Sequence, residues 1–212
     1  MLPGPSIALS CPHCGGKKNV MSLLSGNTCG MDLWSDTRRF CPFLPEISPI
    51  QQCPHCRKYY FLKEAHRKTD SNSYSLETGQ LDFAGLKEAK RQFEECELSD
   101  DQKWTINYML LLAFNDLFNR EEKPEHGPSD TDRLLIQEVV QTLIDIARDS
   151  PDQTIFHAEL LRETGRFEEA LQVLENYSAN AEDTGIVEAM KKHIAEKDRI
   201  PFLLVRNGES II

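Results

Sequence analysis

Apolar residues recur at helical spacing through the C-terminal part of the chain. From Leu81 onward their period is near 3.6 residues, as Phe83, Leu86 and Phe93 illustrate. The segment at 200–205, which follows the last of these series, is apolar, and we expect it to pack back on the helices. The pattern predicts six helices, at about residues 81–96, 99–118, 131–149, 151–164, 167–177 and 185–198.

Short-range signals indicate where several of these helices begin and end. Ser99 and Gln102 can form a capping box, in which each side chain bonds the other residue's backbone N–H. Pro151 suits the first position of a helix, whereas Gly165 can adopt the left-handed conformation that ends one. Residues 119–129 are polar and contain Pro and Gly, so they are predicted to form a loop.

The N-terminal residues 1–65 lack helical periodicity and are rich in Gly, Pro, Ser and Cys. Short apolar stretches predict a strand at 19–24. A second signal predicts a hairpin that joins 31–34 to 39–44 through a turn of small polar residues. Short antiparallel strands are therefore expected in this part of the chain.

These patterns predict an α+β, mostly α protein. A small domain at 1–65 precedes a polar linker at 66–80 and an antiparallel helical domain at 81–212. Charge supports the division, because residues 1–80 carry 9 Lys and Arg against 6 Asp and Glu, whereas residues 81–212 carry 15 against 28. The net charge of −10 over 212 residues argues against a protein that binds nucleic acid through its overall charge.

Membrane and secretion signals are not found in the sequence. No stretch approaches the roughly 18 consecutive apolar residues of a membrane helix, and the first residues lack the basic and apolar regions of a secretion signal. We therefore expect a cytoplasmic protein without a membrane partner. Thiols stay reduced in that compartment, so paired cysteines favour a metal over a disulfide.

Two Cys-Pro-His-Cys motifs carry the clearest chemical signal. They contain Cys11 and Cys14, then Cys53 and Cys56, and 38 residues separate the pairs. Two residues between thiolates allow both sulfurs to reach one zinc ion at about 2.3 Å. Four thiolates complete a closed tetrahedron and leave no position for water, which is typical of a structural site. The sequence therefore predicts one structural Zn²⁺ on these four cysteines.

Other interpretations of the cysteines remain open. Cys-Pro-His-Cys also occurs in redox dithiols, although such motifs begin a helix after a buried strand, and Gly15-Gly16 is a poor helix start. Cys29 and Cys41 can face each other across the predicted hairpin, and we expect them to be packing residues. The same is expected of Cys96, which lies on an apolar helical face.

The histidines of the two motifs are alternative ligands to consider. His13 and His55 lie inside the turns, where side chains normally point outward. Four cysteines already complete a zinc site, so neither histidine is expected to replace one.

Residues 9–65 resemble the zinc-ribbon family, in which two Cys-x-x-Cys turns enclose short antiparallel strands. The segment 53–61, with the sequence Cys-Pro-His-Cys-Arg-Lys-Tyr-Tyr-Phe, is especially similar to it. The resemblance implies a fold and a metal but no function, because such modules bind DNA, RNA and proteins alike.

Basic residues surround an aromatic run just after the second motif. The aromatic residues are Tyr59, Tyr60 and Phe61, and the basic residues are Arg57, Lys58, Lys63, Arg67 and Lys68. This combination is suited to phosphates and to stacked bases. The competing interpretation is that the aromatic residues pack on the metal site and the basic residues form a solvated or docking face.

The segment 158–174 resembles part of a tetratricopeptide repeat. Ala158 and Ala170 provide the small contacts between two helices, Gly165 the turn between them, and Phe167 and Leu174 the apolar filling. Stacked helices of this kind usually bind a peptide or helix of a partner protein. The combination of a zinc ribbon with such helices resembles bacterial proteins of unassigned function.

Three functional hypotheses follow. The first is a zinc-binding, non-catalytic interaction protein that binds another protein through its helices. The second is a nucleic-acid-binding or transcription-associated factor that acts through the basic residues after the second motif. The third is a thiol-redox protein. The sequence contains no Gly-rich phosphate loop, no Gly-x-Ser-x-Gly and no His-Glu-x-x-His, so we expect no catalytic site.

Overall fold

The structure is a computed structural model, and it describes residues 1–120, 126–178 and 183–212. The chain has an α+β structure that is mostly α. The strands are β1 (Leu2–Pro3), β2 (Ser6–Ser10), β3 (Lys17–Val20), β4 (Leu23–Ser25), β5 (Asp32–Trp34), β6 (Arg39–Phe40), β7 (Ile50–Gln52), β8 (Tyr59–Phe61), β9 (His66–Asp70), β10 (Leu203–Arg206) and β11 (Glu209–Ser210). The helices are α1 (Phe83–Phe93), α2 (Asp100–Phe118), α3 (Asp130–Arg148), α4 (Thr154–Glu163), α5 (Phe167–Glu175) and α6 (Thr184–Ala195).

The chain divides into two compact units. Unit 1 comprises Met1–Gly30 and Cys41–Ile106, and unit 2 comprises Met31–Phe40 and Asn107–Ile212. This division differs from the boundary at 66–80 that the sequence suggested. The predicted hairpin belongs to unit 2, and α1 belongs to unit 1. Hydrogen bonds between residues far apart in sequence account for both differences, and such pairings leave no local signal.

The central sheet of unit 1 has the order β3-β2-β9, and both pairings are antiparallel. Its third strand lies in the predicted linker. The rest of that segment is also bound to unit 1, because the carbonyls of Ser73, Glu77 and Thr78 accept backbone hydrogen bonds at 2.8–2.9 Å. Strand β9 escapes prediction because its residues are almost all exposed and polar, so they show no apolar alternation.

The predicted strand at 19–24 is two strands. Strand β3 ends at Val20, and β4 begins at Leu23 and pairs with β1. Between them the Met21 amide donates to the Glu77 carbonyl at 2.8 Å, and Ser22 Oγ donates to the Pro5 carbonyl at 2.5 Å. These contacts redirect the chain where the apolar pattern alone suggests continuity.

Strand β8 packs on α1 within unit 1. Phe61 and Phe93 stack with ring centroids 4.6 Å apart. The side-chain amide of Gln92 accepts from the Tyr59 N–H and donates to the Tyr59 carbonyl, each at 2.9 Å. The helix ends at Phe93 rather than at Cys96, which is exposed, so the expectation that Cys96 packs on an apolar face is wrong.

Unit 2 contains a sheet of order β11-β10-β5-β6. The predicted hairpin forms from β5 and β6, and Thr37 in its turn has φ 67°. The segment at 200–205 was expected to pack on helices, but it forms β10, which pairs with β5. Phe202 just before this strand does contact a helix, because its ring stacks on His193 of α6 with centroids 3.8 Å apart.

The helices follow the predicted pattern closely. The Ser99 and Gln102 capping box is present, with hydrogen bonds of 3.0 and 3.3 Å. Gly165 has φ 81° at the end of α4, and Ala158 and Ala170 are fully buried on α4 and α5. Of the predicted loop 119–129, residues 121–125 lie outside the described residues. No helix in the described part of the chain is long and apolar enough to span a membrane.

Candidate metal centre

Both Cys-Pro-His-Cys motifs fold into the same tight turn in unit 1, and we call them the first knuckle (11–14) and the second knuckle (53–56). The amide of the residue after each knuckle, Gly15 or Arg57, donates to the carbonyl of the knuckle's first cysteine, at 2.9 and 3.0 Å. Both of these residues are left-handed, with φ 71° and 63°. The repeated motif therefore adopts a repeated backbone conformation.

Each knuckle connects the two strands of an antiparallel hairpin. Strands β2 and β3 flank the first knuckle, where Ser10 pairs with Lys17. Strands β7 and β8 flank the second, where Gln52 pairs with Tyr59 at the equivalent positions. The two hairpins thus present their cysteines in the same way from two sides of one site.

The four cysteine sulfurs converge. All lie within 4.8 Å of one another, and the closest contacts join the knuckles, with Cys11 Sγ 3.8 Å from Cys56 Sγ and Cys14 Sγ 3.6 Å from Cys53 Sγ. In a regular tetrahedron with Zn–S bonds of about 2.3 Å, sulfurs lie about 3.8 Å apart. The spacing and chemistry of these four side chains therefore fit one metal ion.

Backbone amides point at the sulfurs. The His13 amide donates to Cys11 Sγ and the Gly16 amide to Cys14 Sγ, both at 3.4 Å. Such bonds stabilise a thiolate, because an N–H dipole directed at sulfur favours the charged form. The knuckle conformation thus prepares the sulfurs for a cation.

The knuckle histidines join the two hairpins without reaching the sulfurs. His13 Nε2 lies 3.1 Å from the Tyr59 carbonyl, and His55 Nε2 lies 3.2 Å from the Lys17 carbonyl. A carbonyl can only accept, so each Nε2 carries the proton and donates. Each knuckle is therefore bonded to the strand that follows the other knuckle.

An apolar cluster surrounds the deeper side of the sulfurs. Cys11 and Cys53 are 3% and 0% exposed, whereas Cys14 is exposed. The cluster also contains Leu9, Val20, Tyr60 and Ala65. Burial raises the pKa of the Tyr60 hydroxyl to about 12, and the nearby cysteines contribute to that increase. The site therefore has a buried side and an open side.

The thiols differ in acidity. Burial raises the pKa of Cys53, but hydrogen bonds from the Cys56 and His55 amides and from the neighbouring thiols outweigh it and lower the pKa to about 6. The Gly16 amide lowers the pKa of Cys14, but burial and the other three thiols outweigh it and raise the pKa to about 11. One thiolate therefore forms readily, but a second is disfavoured by burial and by the first negative charge. A bound cation would stabilise all four thiolates.

The remaining cysteines lie outside this cluster. Cys29 is exposed and Cys41 is half-buried, so the expectation of a packing role is wrong for Cys29. Within the part of the chain that the structure describes, no other group of three or more Cys, His, Asp or Glu side chains converges as these four do.

The aromatic residues after the second knuckle are part of the core. Tyr59, Tyr60 and Phe61 are 6%, 1% and 4% exposed. Bases therefore have no access to them, and the basic residues nearby are partly engaged, since Lys63 pairs with Asp101 at 3.2 Å and Arg67 donates to the Leu62 carbonyl at 3.0 Å. Of the three aromatic residues, Tyr60 packs in the apolar cluster around the cysteines, whereas Phe61 stacks on Phe93 of α1.

Unit 2 contains a buried polar cluster that the sequence did not indicate. Asp36, fully buried in the hairpin turn, pairs with Arg120 and accepts from Asn115 Nδ2 at 3.0 Å. Asn115 Nδ2 also donates to Glu163 Oε2 at 3.2 Å, and burial raises the pKa of Glu163 well above its ordinary value. Each residue is polar and unremarkable in its own segment, so only the tertiary structure reveals the group.

Comparisons of the chain with protein-family models, with curated proteins and with solved structures each found no match. The fold and the site define the class instead: an α+β protein with a four-cysteine cluster between two equivalent hairpins. Four cysteines placed in this way can hold a metal ion. The resemblances to zinc ribbons and tetratricopeptide repeats rest on the residues named above.

Proposed function

We propose that the chain is a zinc-binding, non-catalytic protein-interaction protein. Cys11, Cys14, Cys53 and Cys56 hold one structural Zn²⁺, which fixes the two hairpins of unit 1 to each other. The convergence of all four sulfurs within 4.8 Å is the observation that carries the proposal. With four thiolate ligands the metal has no open position for water or substrate, so its role is structural.

Zinc is favoured by the donor set and by what it contributes. Thiolates select soft or borderline metals, and a tetrahedral site of four thiolates suits zinc. Binding of structural zinc contributes on the order of 10–16 kcal/mol in small domains. Unit 1 has three sheets of only two or three strands, and a small core of that kind gains much from such a cross-link.

Metal content tests this proposal directly. The full chain is purified without chelator, and metals are measured by plasma mass spectrometry beside a Cys53→Ser/Cys56→Ser variant. We expect about one zinc per chain in the parent protein and none in the variant. A Cys29→Ser/Cys96→Ser variant is the matched control, because both of these cysteines are exposed and lie outside the cluster.

A chain without zinc would contradict the proposal. If such a chain also reduced a disulfide substrate, the thiol-redox hypothesis would replace it. That hypothesis has little support at present, because Cys53, whose pKa is lowered, is 0% exposed. An attacking thiolate needs access to its substrate.

The helices of unit 2 are the proposed surface for a partner protein. Helices α4 and α5 pack closely through Ala158 and Ala170, as in repeats that bind peptides. Residues 31–40 and 107–212, which make up unit 2, carry 23 Asp and Glu against 13 Lys and Arg, so a basic partner is favoured. Leu134 on α3 is 65% exposed, which gives such a partner an apolar contact.

Cross-linking with mass spectrometry in cell extracts tests the partner. We expect a basic protein to be cross-linked to unit 2 and lost with Leu134→Glu. The control is Leu76→Glu, because Leu76 is 70% exposed in unit 1. Equal loss with both variants, or cross-links that are confined to unit 1, would contradict a helical interaction surface.

A further inference from the structure

Two adjoining polar depressions flank strand β3 in unit 1. The first has a volume of about 660 Å³ and is lined by residues that include Lys18, Arg57 and Tyr74. The second has a volume of about 520 Å³ and lies between Lys17 and Lys68. Asn19 lines both, so the two depressions adjoin at this residue, and we call them together the track.

Basic side chains along the track are available for an anion. Among the described residues, no acidic side chain lies within ion-pair distance of Lys17, Arg57 or Lys68. Lys18 Nζ donates only to the Gln51 amide oxygen, at 3.1 Å. Positive charges without counter-charges on both sides of a shallow polar surface are suited to a chain of phosphates.

Two acidic residues also line the track. Asp70 lines the second depression, but its two carboxylate oxygens accept hydrogen bonds from Asn19 Nδ2 at 3.5 Å and from the Asn72 amide at 3.2 Å. Glu77 lines the first. Four basic groups against these two acids leave the track net positive.

An exposed aromatic ring lies at the first depression. Tyr74 is 73% exposed, in contrast to the buried Tyr59, Tyr60 and Phe61. Solvated aromatic rings beside basic groups are the stacking platforms of proteins that bind single strands. An aromatic ring that bases can reach is therefore available on the segment after β9 and not at 59–61, whereas Arg57 and Lys68 belong to the basic residues that the sequence indicated.

Arg57 has an unusual backbone for its residue type. Its φ is 63°, whereas the equivalent position of the first knuckle is Gly15 with φ 71°. A left-handed residue with a Cβ is less stable than glycine there. An arginine that persists in an unfavourable conformation, and whose side chain lines a cavity, suggests a role for the side chain.

We propose that this track binds single-stranded nucleic acid. Lys17, Arg57 and Lys68 contact phosphates, and a base stacks on Tyr74. A free nucleotide would fill only one depression, whereas basic residues line both and the depressions adjoin at Asn19, which favours a strand. The proposed function of the metal centre and helices assigns no ligand to this face, so the inference goes beyond it.

Fluorescence anisotropy with the zinc-loaded full chain tests the proposal. The probes are labelled oligouridine and oligothymidine of about 12 nucleotides, which span the usual site of one small domain. Salt is raised from about 50 to 200 mM KCl. We expect binding with a logarithmic salt slope of about −2, because three phosphate contacts on a single strand each contribute about −0.7.

Arg57→Gly separates binding from folding. Glycine suits the left-handed conformation, so we expect the melting temperature of the variant to rise while its affinity falls about tenfold and the salt slope weakens by about 0.7. Lys63→Ala is the control, because it removes the same charge from a residue paired with Asp101 away from the track. Its affinity should match that of the parent protein.

Tyr74 gives an independent readout. Tyr74→Ala should weaken binding by roughly 5-fold to 100-fold without changing the salt slope, and Tyr74→Phe should restore it. Three results would overturn the proposal: no binding at the lowest salt, equal losses with Arg57→Gly and Lys63→Ala, or binding of polyglutamate as tight as that of the oligonucleotides. Equal losses would indicate a non-specific electrostatic attraction, and tight binding of polyglutamate would indicate that the ligand is an acidic peptide.

Discussion

The two knuckles share a sequence and a backbone but differ in their surroundings. Cys14 of the first knuckle is exposed, and Gly15-Gly16 follow it. Cys56, at the equivalent position of the second knuckle, is half-buried, and the first cysteines of both knuckles are buried. All three residues of β8 after the second knuckle are buried, whereas only Val20 is buried in β3 after the first. One hairpin is therefore built into the core, and the other lies nearer the solvent.

This difference indicates how each half of the site is held. The second hairpin has apolar support of its own, because Phe61 stacks on Phe93 and Gln92 bonds the backbone of Tyr59. The first hairpin is held at its knuckle by the two histidine hydrogen bonds and by a metal ion when the sulfurs bind one. A metal bound by all four sulfurs would therefore attach the more exposed knuckle to the more deeply buried one.

Loss of a ligand cysteine should have the largest effect. Cys14→Ser and Cys53→Ser should both lose the metal and with it on the order of 10 kcal/mol of the folding free energy of unit 1. Metal content and calorimetric unfolding measure the two effects. Retained metal in either variant would contradict the four-ligand site, and Cys29→Ser is the control.

The metal-free protein should reveal the same asymmetry in its thiols. The pKa of Cys53 is lowered to about 6 from an ordinary value of 9.0, and that of Cys14 is raised to about 11. Stability from Cys53 is present above pH 9 and lost as the pH falls through 6, whereas that from Cys14 is lost as the pH rises from 9 through 11. Metal-free unit 1 should therefore be most stable near pH 9.

Ultraviolet absorbance of thiolates during a pH titration measures these values. The parent chain should show a first ionisation near pH 6 that Cys53→Ser removes and Cys14→Ser shifts. Metal binding should weaken as the pH falls below this value, because the cation then competes with protons for every sulfur. Ionisation of all cluster thiols together near pH 9, in a metal-free chain whose unit 1 is shown by circular dichroism to be folded, would contradict the amide and thiol contacts described above.

The second residue after each knuckle, Gly16 or Lys58, offers a smaller test of the symmetry between the two hairpins. A Cβ on Gly16 would lie 2.5 Å from His55 Cδ2, whereas the equivalent position in the second hairpin, Lys58, already carries an exposed side chain. Gly16→Ala should therefore cost about 1–3 kcal/mol, and Lys58→Ala should change stability by less than about 0.5 kcal/mol. Thermal unfolding of the zinc-loaded chain compares them.

A double variant tests the stated cause of that cost. If the methyl group acts only by striking the imidazole, Gly16→Ala should be nearly neutral when His55 is already alanine. A double-mutant cycle of Gly16→Ala and His55→Ala measures this coupling. Full additivity of the two single costs would mean that the glycine is needed for another reason.

Local patterns were sufficient for much of this fold. The six helices were found because their apolar faces and caps are local signals, as the Ser99 and Gln102 capping box illustrates. The candidate metal site also has a local sequence signal, because each half of it consists of four consecutive residues. The hairpin of β5 and β6 was also found, because small polar turn residues separate two short apolar stretches.

The parts that sequence reasoning missed depend on distant contacts. Strand β9 has exposed polar residues and is defined by pairing with β2 across most of unit 1. Strand β10 pairs with β5 from the other end of the chain. The histidine bonds and the Asp36 cluster likewise join segments whose separation carries no periodic signal. Composition left open whether the aromatic residues at 59–61 stack on bases or pack inside the protein, and the structure shows that they are buried.

Replacement of a knuckle histidine should give the smallest loss of stability, and the losses for the two knuckles should be nearly equal. His13 Nε2 and His55 Nε2 each donate one hydrogen bond to a carbonyl, at 3.1 and 3.2 Å. Replacing either by alanine should cost about 0.5–1.5 kcal/mol, which is the usual net value of one such bond. Denaturant unfolding of the zinc-loaded single variants should give nearly equal values, with the metal retained.

Glutamine at the same positions separates the hydrogen bond from the ring. His13→Gln and His55→Gln keep an N–H donor near the same carbonyls, so each should recover part of the stability that alanine loses. Loss of zinc in either alanine variant would mean that a histidine acts as a ligand and that the four sulfurs alone do not hold the metal. Unequal losses of unfolding free energy in the two alanine variants would instead mean that the burial of the knuckles, which differs, has more effect than the hydrogen bond that both histidines make.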